Sequence, residues 1–527
     1  MLHTGLIAPI SELLERHRKQ RPDKVAYWDA ARSVTYSQLA SRTASISAGL
    51  SGKGVREGDH VAVYLPNGVD WIEACFAGLR SGAVIVPISY DAAEAEIAYR
   101  LSDADCRTVI TTPARKELIG KLAAGLNGPV SLVFAGAGAG EAGVCLDELA
   151  QSNQGNVEAA LDPDDIDRSS FIIYTSGTTG RAKGVLLSVR GMLWITAACW
   201  APVCELNDND VVLSPLPLFH SYGLNLSVLS VLAVGASEHI LERFSPDKVL
   251  ELLQSGKYSV FPGVPTMFHY LLQRAQEAGV SRLGSTRLCI SAGAIMPAAL
   301  NRTFEERLGT TLLDGYGITE TSTMVTMNWT SGARPMGSCG LPVPGLATRI
   351  VDPTTLEDVP IGSEGELIVR GPNLMHGYHN KPAETAAALR KGWYHTGDLA
   401  KSDPNGYLTI TGRIKELIIR GGQNIAPAEI EEVAILYSEV IDCAVVGVPH
   451  ATLGEVPYLF VVVEQGKLDV EALLAHCRKS LSPYKIPEAT HVVSEIPRTG
   501  SGKIMRFKLV EALARSSSDN GGAVTQG

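Results

Sequence analysis

Apolar positions along this chain change period in a steady rhythm. From Ile10 to Gln20, the residues Ile10, Leu13 and Leu14 share one helical face that His17 continues, and Ser11 is placed to cap it. A short strand is predicted over Val25 to Trp28. Thr35 then caps a helix carrying Leu39, Thr43, Ile46 and Leu50, stopped by Gly52 and Gly54. There follow a strand from His60 to Leu65, a Pro66-Asn67-Gly68 turn, a helix to about Ser81 and a strand from Val84 to Ile88. Helix Glu94 to Ala104 and strand Thr108 to Thr111 continue the series. Such alternation implies βαβ units and a parallel sheet.

The rhythm returns further on, with strands Val211 to Leu213, Glu238 to Leu241, Tyr258 to Phe261 and Leu288 to Ser291. Helices are predicted around Asn225 to Val234, Pro246 to Ser255 and Met267 to Ala278, which implies a second sheet built like the first. From about Gly337 to Arg370 the helical period disappears. Short strands such as Thr348 to Val351 and Glu366 to Val369 alternate with Pro/Gly turns, as in a small antiparallel barrel or sheet. Beyond Gly412-Arg413 the pattern becomes a compact α+β unit: helix Pro427 to Tyr437, strands Ile441 to Val446 and Tyr458 to Val463, helix Asp469 to Leu481. The expected fold is therefore α/β. A large N-terminal domain of two βα-layered sheets plus a small antiparallel β-barrel spans 1–414, a small mobile α+β domain spans 415–515, and 516–527 is a disordered tail.

Composition narrows the partners. The chain has 527 residues and a net charge of -10, so neither nucleic acid nor an anionic membrane is favoured. The N-terminus lacks a basic region ahead of an apolar core, and no apolar run approaches membrane-spanning length. Nine scattered cysteines without a C-x-x-C pair suggest a reducing compartment and no structural zinc. A soluble, cytoplasmic monomer or homodimer, free of integral membrane association, is expected.

The chemistry is concentrated in a few strings. Tyr174 to Gly184, YTSGTTGRAKG, follows the β-branched run Phe171-Ile172-Ile173. Thr175, Ser176, Gly177, Thr178, Thr179 and Gly180 offer hydroxyls and closely approachable backbone N–H groups to a phosphate, and Lys183 adds charge. Gly184 after the lysine excludes a Walker A loop. In Asp314-Gly315-Tyr316-Gly317-Ile318-Thr319-Glu320-Thr321, glycines free the backbone around an aromatic able to stack on a base, and Thr319 and Glu320 are hard oxygen donors suited to Mg²⁺. Asp398, in Tyr394-His395-Thr396-Gly397-Asp398, puts a carboxylate at a loop tip where it can accept from both ribose hydroxyls. Arg413 brings a guanidinium fork. Gly421-Gly422 opens a flexible loop onto a helix with Pro427 in its first turn. Lys503, between the glycines of Pro497-Arg498-Thr499-Gly500-Ser501-Gly502 and Ile504, is an ammonium on a loop that domain movement can carry. Taken singly, several of these also read as a polar surface loop, a strand-capping histidine (His220), a turn aspartate or a solvated lysine.

Taken in order, the strings resemble the adenylate-forming superfamily of AMP-forming acyl-CoA synthetases, aryl-CoA ligases, luciferases and peptide-synthetase adenylation domains, over essentially the whole chain. That resemblance implies an acid–thiol ligase using ATP, Mg²⁺ and coenzyme A. A carboxylic acid is converted to an acyl adenylate with release of pyrophosphate, and the acyl group then passes to a thiol. It implies Lys503 as the adenylation lysine, Glu320 and Thr178 on the metal side, Thr319 near the nascent acyl phosphate, and His220 beside the substrate carboxylate. Gly293 and Ala294 would carry one face of the adenine; Asp314, Gly315, Tyr316 and Gly317 would complete the base site, with Asp398 and Arg413 on the ribose. Tyr222, Gly223 and Ser291 would line the acyl pocket, Lys415 would be the domain hinge, and Gly421 and Gly422 would border the pantetheine channel. His220 stands where amino-acid-activating relatives carry an aspartate, and the pocket segments show no arginine cluster, which favours a fatty or aryl monocarboxylate over malonate. Two alternatives stay open: transfer to a carrier-protein phosphopantetheine, and a nucleotide-binding regulator without catalysis.

Overall fold

The computed structural model describes residues 2–126, 128–152, 161–175, 182–421, 423–463, 468–498 and 504–519. Among them, four sheets organise the chain. The first has seven strands in the order Gly377–Tyr378, Lys183–Ser188, Ser169–Thr175, Val84–Pro87, His60–Tyr64, Thr108–Thr111, Ser131–Phe134. Its centre is parallel, as the βα rhythm requires, but its edge is antiparallel. Ser169–Thr175 and Lys183–Ser188 form a hairpin, with Tyr174 opposite Gly184 and Thr175 opposite Lys183. The apolar segment after the glycine-rich string is thus the return strand of that hairpin.

The second sheet has nine strands: Leu341–Pro342, Thr326–Met327, Thr311–Tyr316, Leu288–Ser291, Val260–Gly263, Val211–Ser214, Ser237–Ile240, Val25–Trp28 and Ser33–Thr35. Reading the chain in order puts Val25–Trp28 with the first sheet, and the structure corrects this. The strand lies parallel to Ser237–Ile240, with Tyr27 opposite Glu238. Buried hydroxyls secure it: Tyr27 donates to the Val228 carbonyl at 2.7 Å, and Tyr36 to the Ala236 carbonyl at 2.6 Å. Both rings are fully buried, so a partner for each hydroxyl avoids the cost of an unmet polar group.

Local signals hold at some places and fail at others. Thr35 and Gln38 form a reciprocal capping box at the start of helix Tyr36–Gly52. Helix Ile10–Gln20 has Pro9 at its cap position, so Ser11 does not cap it. The helix expected from Asn225 begins at Ser221 and runs to Val234, its middle, Leu224–Ser230, wound as a π-helix. A half-barrel of antiparallel strands follows, built from Ala347–Val351, Gly365–Arg370, Leu389–Arg390, Trp393–Ser402 and Leu408–Arg413. The separate C-terminal domain holds strands Ile418–Arg420, Gln423–Ile425, Val440–His450, Gly454–Val463 and Ala489–Val492, with its own apolar core around Ile430, Val445, Leu459 and Leu473. The last helix, Arg506–Asp519, continues into the stretch assigned to the tail, so Ser516 does not begin it. All nine cysteines are buried and free, and no helix among the described residues is long and apolar enough to cross a membrane.

Candidate active site

Strand ends, turns and one short edge strand bring the sequence motifs together. The stem of the glycine-rich hairpin is held from below by Tyr174, whose hydroxyl donates to Asp103 at 2.7 Å. Ser176 to Gly180, Thr178 included, lie outside the described residues, as do Gly422 and Lys503. At the stem, the Lys183 ammonium sits 4.8 Å from the centre of the Tyr378 ring, a cation–π contact. Tyr378 belongs to the edge strand Gly377–Tyr378, paired with Lys183–Ser188. Its hydroxyl donates to Glu320 Oε1 at 3.0 Å and lies 3.4 Å from the hydroxyl of Tyr394. One tyrosine therefore joins the phosphate-type hairpin to the carboxylate of the second motif. Nothing in the string spacing marks Tyr378; its role follows from the edge pairing alone.

Glu320 stands on the short turn Thr319–Thr321, half-buried, with no Lys, Arg or His within ion-pair distance among the described residues. That donor set fits a divalent cation. Mg²⁺ is commonly bound through one or two carboxylates together with substrate phosphates, a role open to Glu320. Thr319 is buried, its hydroxyl 3.1 Å from that of Ser221, so the two central motifs touch. His220 precedes Ser221 and accepts the Tyr222 N–H on Nδ1 at 3.3 Å, capping the helix and leaving Nε2 as the protonated nitrogen. Gly223 is required here: a Cβ would lie 2.3 Å from the Pro217 carbonyl oxygen. The buried Tyr222 donates to the Ile290 carbonyl at 3.0 Å and stacks on Trp200, whose indole N–H donates to Asn225 at 2.6 Å.

The base-site candidates cluster at the carboxyl ends of two parallel strands, where open α/β sheets bind ligands. Ser291 and Asp314 are register partners. Ser291 Oγ and Asp314 Oδ1 are buried without a hydrogen-bond partner among the described residues, and burial holds the Asp314 carboxyl well above the usual carboxylate range. Gly293 has φ +90 and Ala294 is exposed. Gly317 admits no side chain, since a Cβ would lie 1.4 Å from the Thr323 carbonyl oxygen. Gly315 is packed on Met324 and Met327.

Asp398 is not at a loop tip. It lies inside strand Trp393–Ser402, 3% exposed and directly opposite Arg413. Arg413 Nε donates to Asp398 Oδ1 at 2.8 Å, and the Tyr316 hydroxyl donates to Oδ2. The Asp398 charge raises the Arg413 pKa, opposed by desolvation, and the same carboxylate adds to the burial that raises the Tyr316 phenol. Tyr316 is thereby pinned at its far end with its ring face set by Asp398. Lys415 is exposed on the next turn, Ile414–Glu416, and Gly421 has φ +57 at the hairpin that follows.

The sequence model of the AMP-binding enzyme matches residues 14–379, and that of the AMP-binding enzyme C-terminal domain matches 429–503. The chain belongs to this AMP-binding, adenylate-forming enzyme family. Feruloyl-CoA synthase of an Amycolatopsis species is 33% identical over 93% of this chain and 96% of its own length. A long-chain-fatty-acid–CoA ligase of Bacillus subtilis is 32% identical over 93% of this chain and 92% of its own. The crystal structure of an anthranilate CoA ligase with anthranoyl-AMP superposes with a TM-score of 0.90 at 26% identity, covering 97% of this chain and 98% of that one.

Proposed function

We propose that this protein activates a carboxylic acid with ATP, releasing pyrophosphate, and passes the acyl group from the adenylate to coenzyme A. The observation that carries the reading is the contrast between three carboxyl groups held in different surroundings by the sequence motifs. Glu320 lacks a cationic partner among the described residues, Asp398 is clamped by Arg413 and Tyr316, and Asp314 is buried with an unpartnered oxygen. These match the needs of a metal-bound triphosphate, a ribose and a base edge. The unpartnered Asp314 Oδ1 is an acceptor suited to the amino group on the edge of adenine, and burial raises the pKa of its carboxyl.

In the first step the acid's carboxylate oxygen attacks the α-phosphorus, and the P–O bond to pyrophosphate breaks. Bound Mg²⁺ would neutralise charge on the phosphates; Glu320 and Thr178 are the residues to hold it. Tyr378 orients Glu320, the hairpin holds the leaving pyrophosphate, and Lys503 steadies the reacting oxygens. His220 and Thr319 border the carboxylate. In the second step the small domain turns about Lys415, between 1–414 and 415–515, and offers the Gly421-Gly422 face to the thiol, whose sulfur attacks the acyl carbonyl as the C–O bond to the phosphate breaks and AMP leaves. Nine free, buried cysteines support a reducing, cytoplasmic setting.

The acyl end is compact. Every residue of Leu224–Ser230, together with Trp200, is fully buried, and Tyr222 is locked to the Ile290 carbonyl. An acyl tunnel beside this helix would leave wall residues open to water, so aryl and short-chain monocarboxylates fit better than long-chain ones. A pyrophosphate-release screen over aryl, short-chain, long-chain and dicarboxylic acids, with and without coenzyme A, tests the whole reading. Release independent of acid, or best with long chains, would refute it in part or whole.

A further inference from the structure

The turn Ile414–Glu416 joins the half-barrel to the C-terminal domain, and its last residue divides its carboxylate between two arginines. Glu416 Oε1 lies 3.9 Å from Arg413 Nη1, and Oε2 accepts from Arg506 Nε at 3.1 Å. Arg413 is engaged on its other side by Asp398 at 2.8 Å. Arg506 reaches onward to Glu431 on helix Pro427–Ala434, at 3.2 Å for one of its contacts, and to the Val445 carbonyl at 2.8 Å. Charges therefore alternate without a break: Asp398, Arg413, Glu416, Arg506, Glu431. The row begins at the ribose-type carboxylate and ends inside the small domain. Arg506 and Arg498, which donates to Asp442 at 2.8 Å, lie on either side of residues 499–503, Lys503 among them, which are outside the described residues.

Only one link in this row spans the turn. Glu416–Arg506 and Arg506–Glu431 lie within the C-terminal unit and move with it. Arg413–Glu416 flanks Lys415, so a rotation there changes their separation directly. The link is long, and its partners are about one-third exposed, at 35% and 30%. Such a pair biases an orientation without locking it.

We propose that Glu416 is a positioning residue, a cross-hinge latch whose hold on Arg413 favours the domain orientation seen here and is released when a bound nucleotide draws Arg413 to itself. This rests on the two-step reading of the preceding subsection. The latch links occupancy of the nucleotide site to the orientation of the C-terminal unit through Arg506 and Glu431.

Glu416→Gln keeps an acceptor for Arg506 while removing the carboxylate charge that both arginines face. Adenylation, followed by ATP–pyrophosphate exchange, and transfer, followed by acyl-CoA formation from supplied acyl adenylate, are measured separately. The expected result is opposite changes in the two rates, shifting their ratio by about two- to fivefold. Raising salt should move the wild-type ratio in the same direction and leave the variant's ratio unmoved. A parallel fall in both rates, or an unmoved ratio, overturns the latch. If the variant fails to fold, the wild-type salt titration decides alone, and a flat ratio overturns it. A wild-type enzyme that runs neither half-reaction overturns the functional reading itself and the latch with it, a result distinct from any change in ratio.

Discussion

Tyr378→Phe removes one oxygen atom and isolates the link between the phosphate-type hairpin and Glu320. The ring stays, so Lys183 keeps its contact 4.8 Å from the ring centre, and strand Gly377–Tyr378 keeps its backbone pairing. What is lost is the donor 3.0 Å from Glu320 Oε1, together with the longer 3.4 Å contact to the Tyr394 hydroxyl. A hydrogen bond to a charged group contributes about 1.5–3 kcal/mol when fully desolvated. Glu320 is half-buried, so water replaces part of that bond, and about 1 kcal/mol is the reasonable share. That corresponds to a fall of roughly fivefold in kcat/KM for ATP. Measured by pyrophosphate exchange over a magnesium titration, the loss should shrink as magnesium is raised, because a bound cation orients the same carboxylate. The thermal midpoint should move little, since the hydroxyl is the only atom removed. Unchanged exchange kinetics, or a large drop in thermal midpoint with kinetics following it, would show that Tyr378 only packs the edge strand.

Other consequences can be checked independently. Lys503→Ala should abolish acyl adenylate formation while largely sparing thioester formation from supplied acyl adenylate; equal loss of both steps contradicts domain exchange. Glu73 is fully buried between Arg42 at 2.7 Å and Arg32 at 2.8 Å, so Glu73→Ala removes the carboxylate they share and leaves Arg32 to Asp70 and Arg42 to Asp147 alone, and urea melts should lose about 2 kcal/mol. His17 is buried, and its pKa is lowered to about 4, chiefly by desolvation. A group depressed in the folded state is neutral there while the unfolded chain binds a proton. Its contribution is therefore present above the ordinary histidine value near 6.5 and lost as pH falls from there toward about 4. His17→Gln should flatten the stability–pH curve in that window, and an unchanged slope would assign the acid sensitivity to other groups.

How much of this was legible in the residues depends on whether the signal is local. The Thr35 cap, the βα rhythm of His60 to Thr111 and the motif strings are local, and the corresponding elements form where periodicity places them. Asp398 and Arg413 are recognisable by type, but their pairing is a strand register between Trp393–Ser402 and Leu408–Arg413, which side-chain chemistry does not encode. For the same reason Asp398 reads as a loop residue: a glycine with φ +70 beside it suggests a turn, although the strand continues through both. Tyr378 carries no local mark, because its importance comes from an edge strand two residues long. Ser11 competes with Pro9 for the cap, and Pro9 takes the position because its fixed φ suits the entry to the helix. The early start of the helix at Ser221 follows from His220 capping it with a ring nitrogen, a use of histidine that propensity does not anticipate.

The place of Val25–Trp28 in the nine-stranded sheet also bears on how the chain reaches this state. Its neighbour Ser237–Ile240 is made some two hundred residues later, so Val25–Trp28 waits with an unpaired edge while the seven-stranded sheet's central strands are completed. The pairing closes a very large loop, which slows folding relative to the local βα units. Until then Val25–Trp28 is open to misassociation, and a fragment ending before Val228 would lack both carbonyls to which Tyr27 and Tyr36 donate.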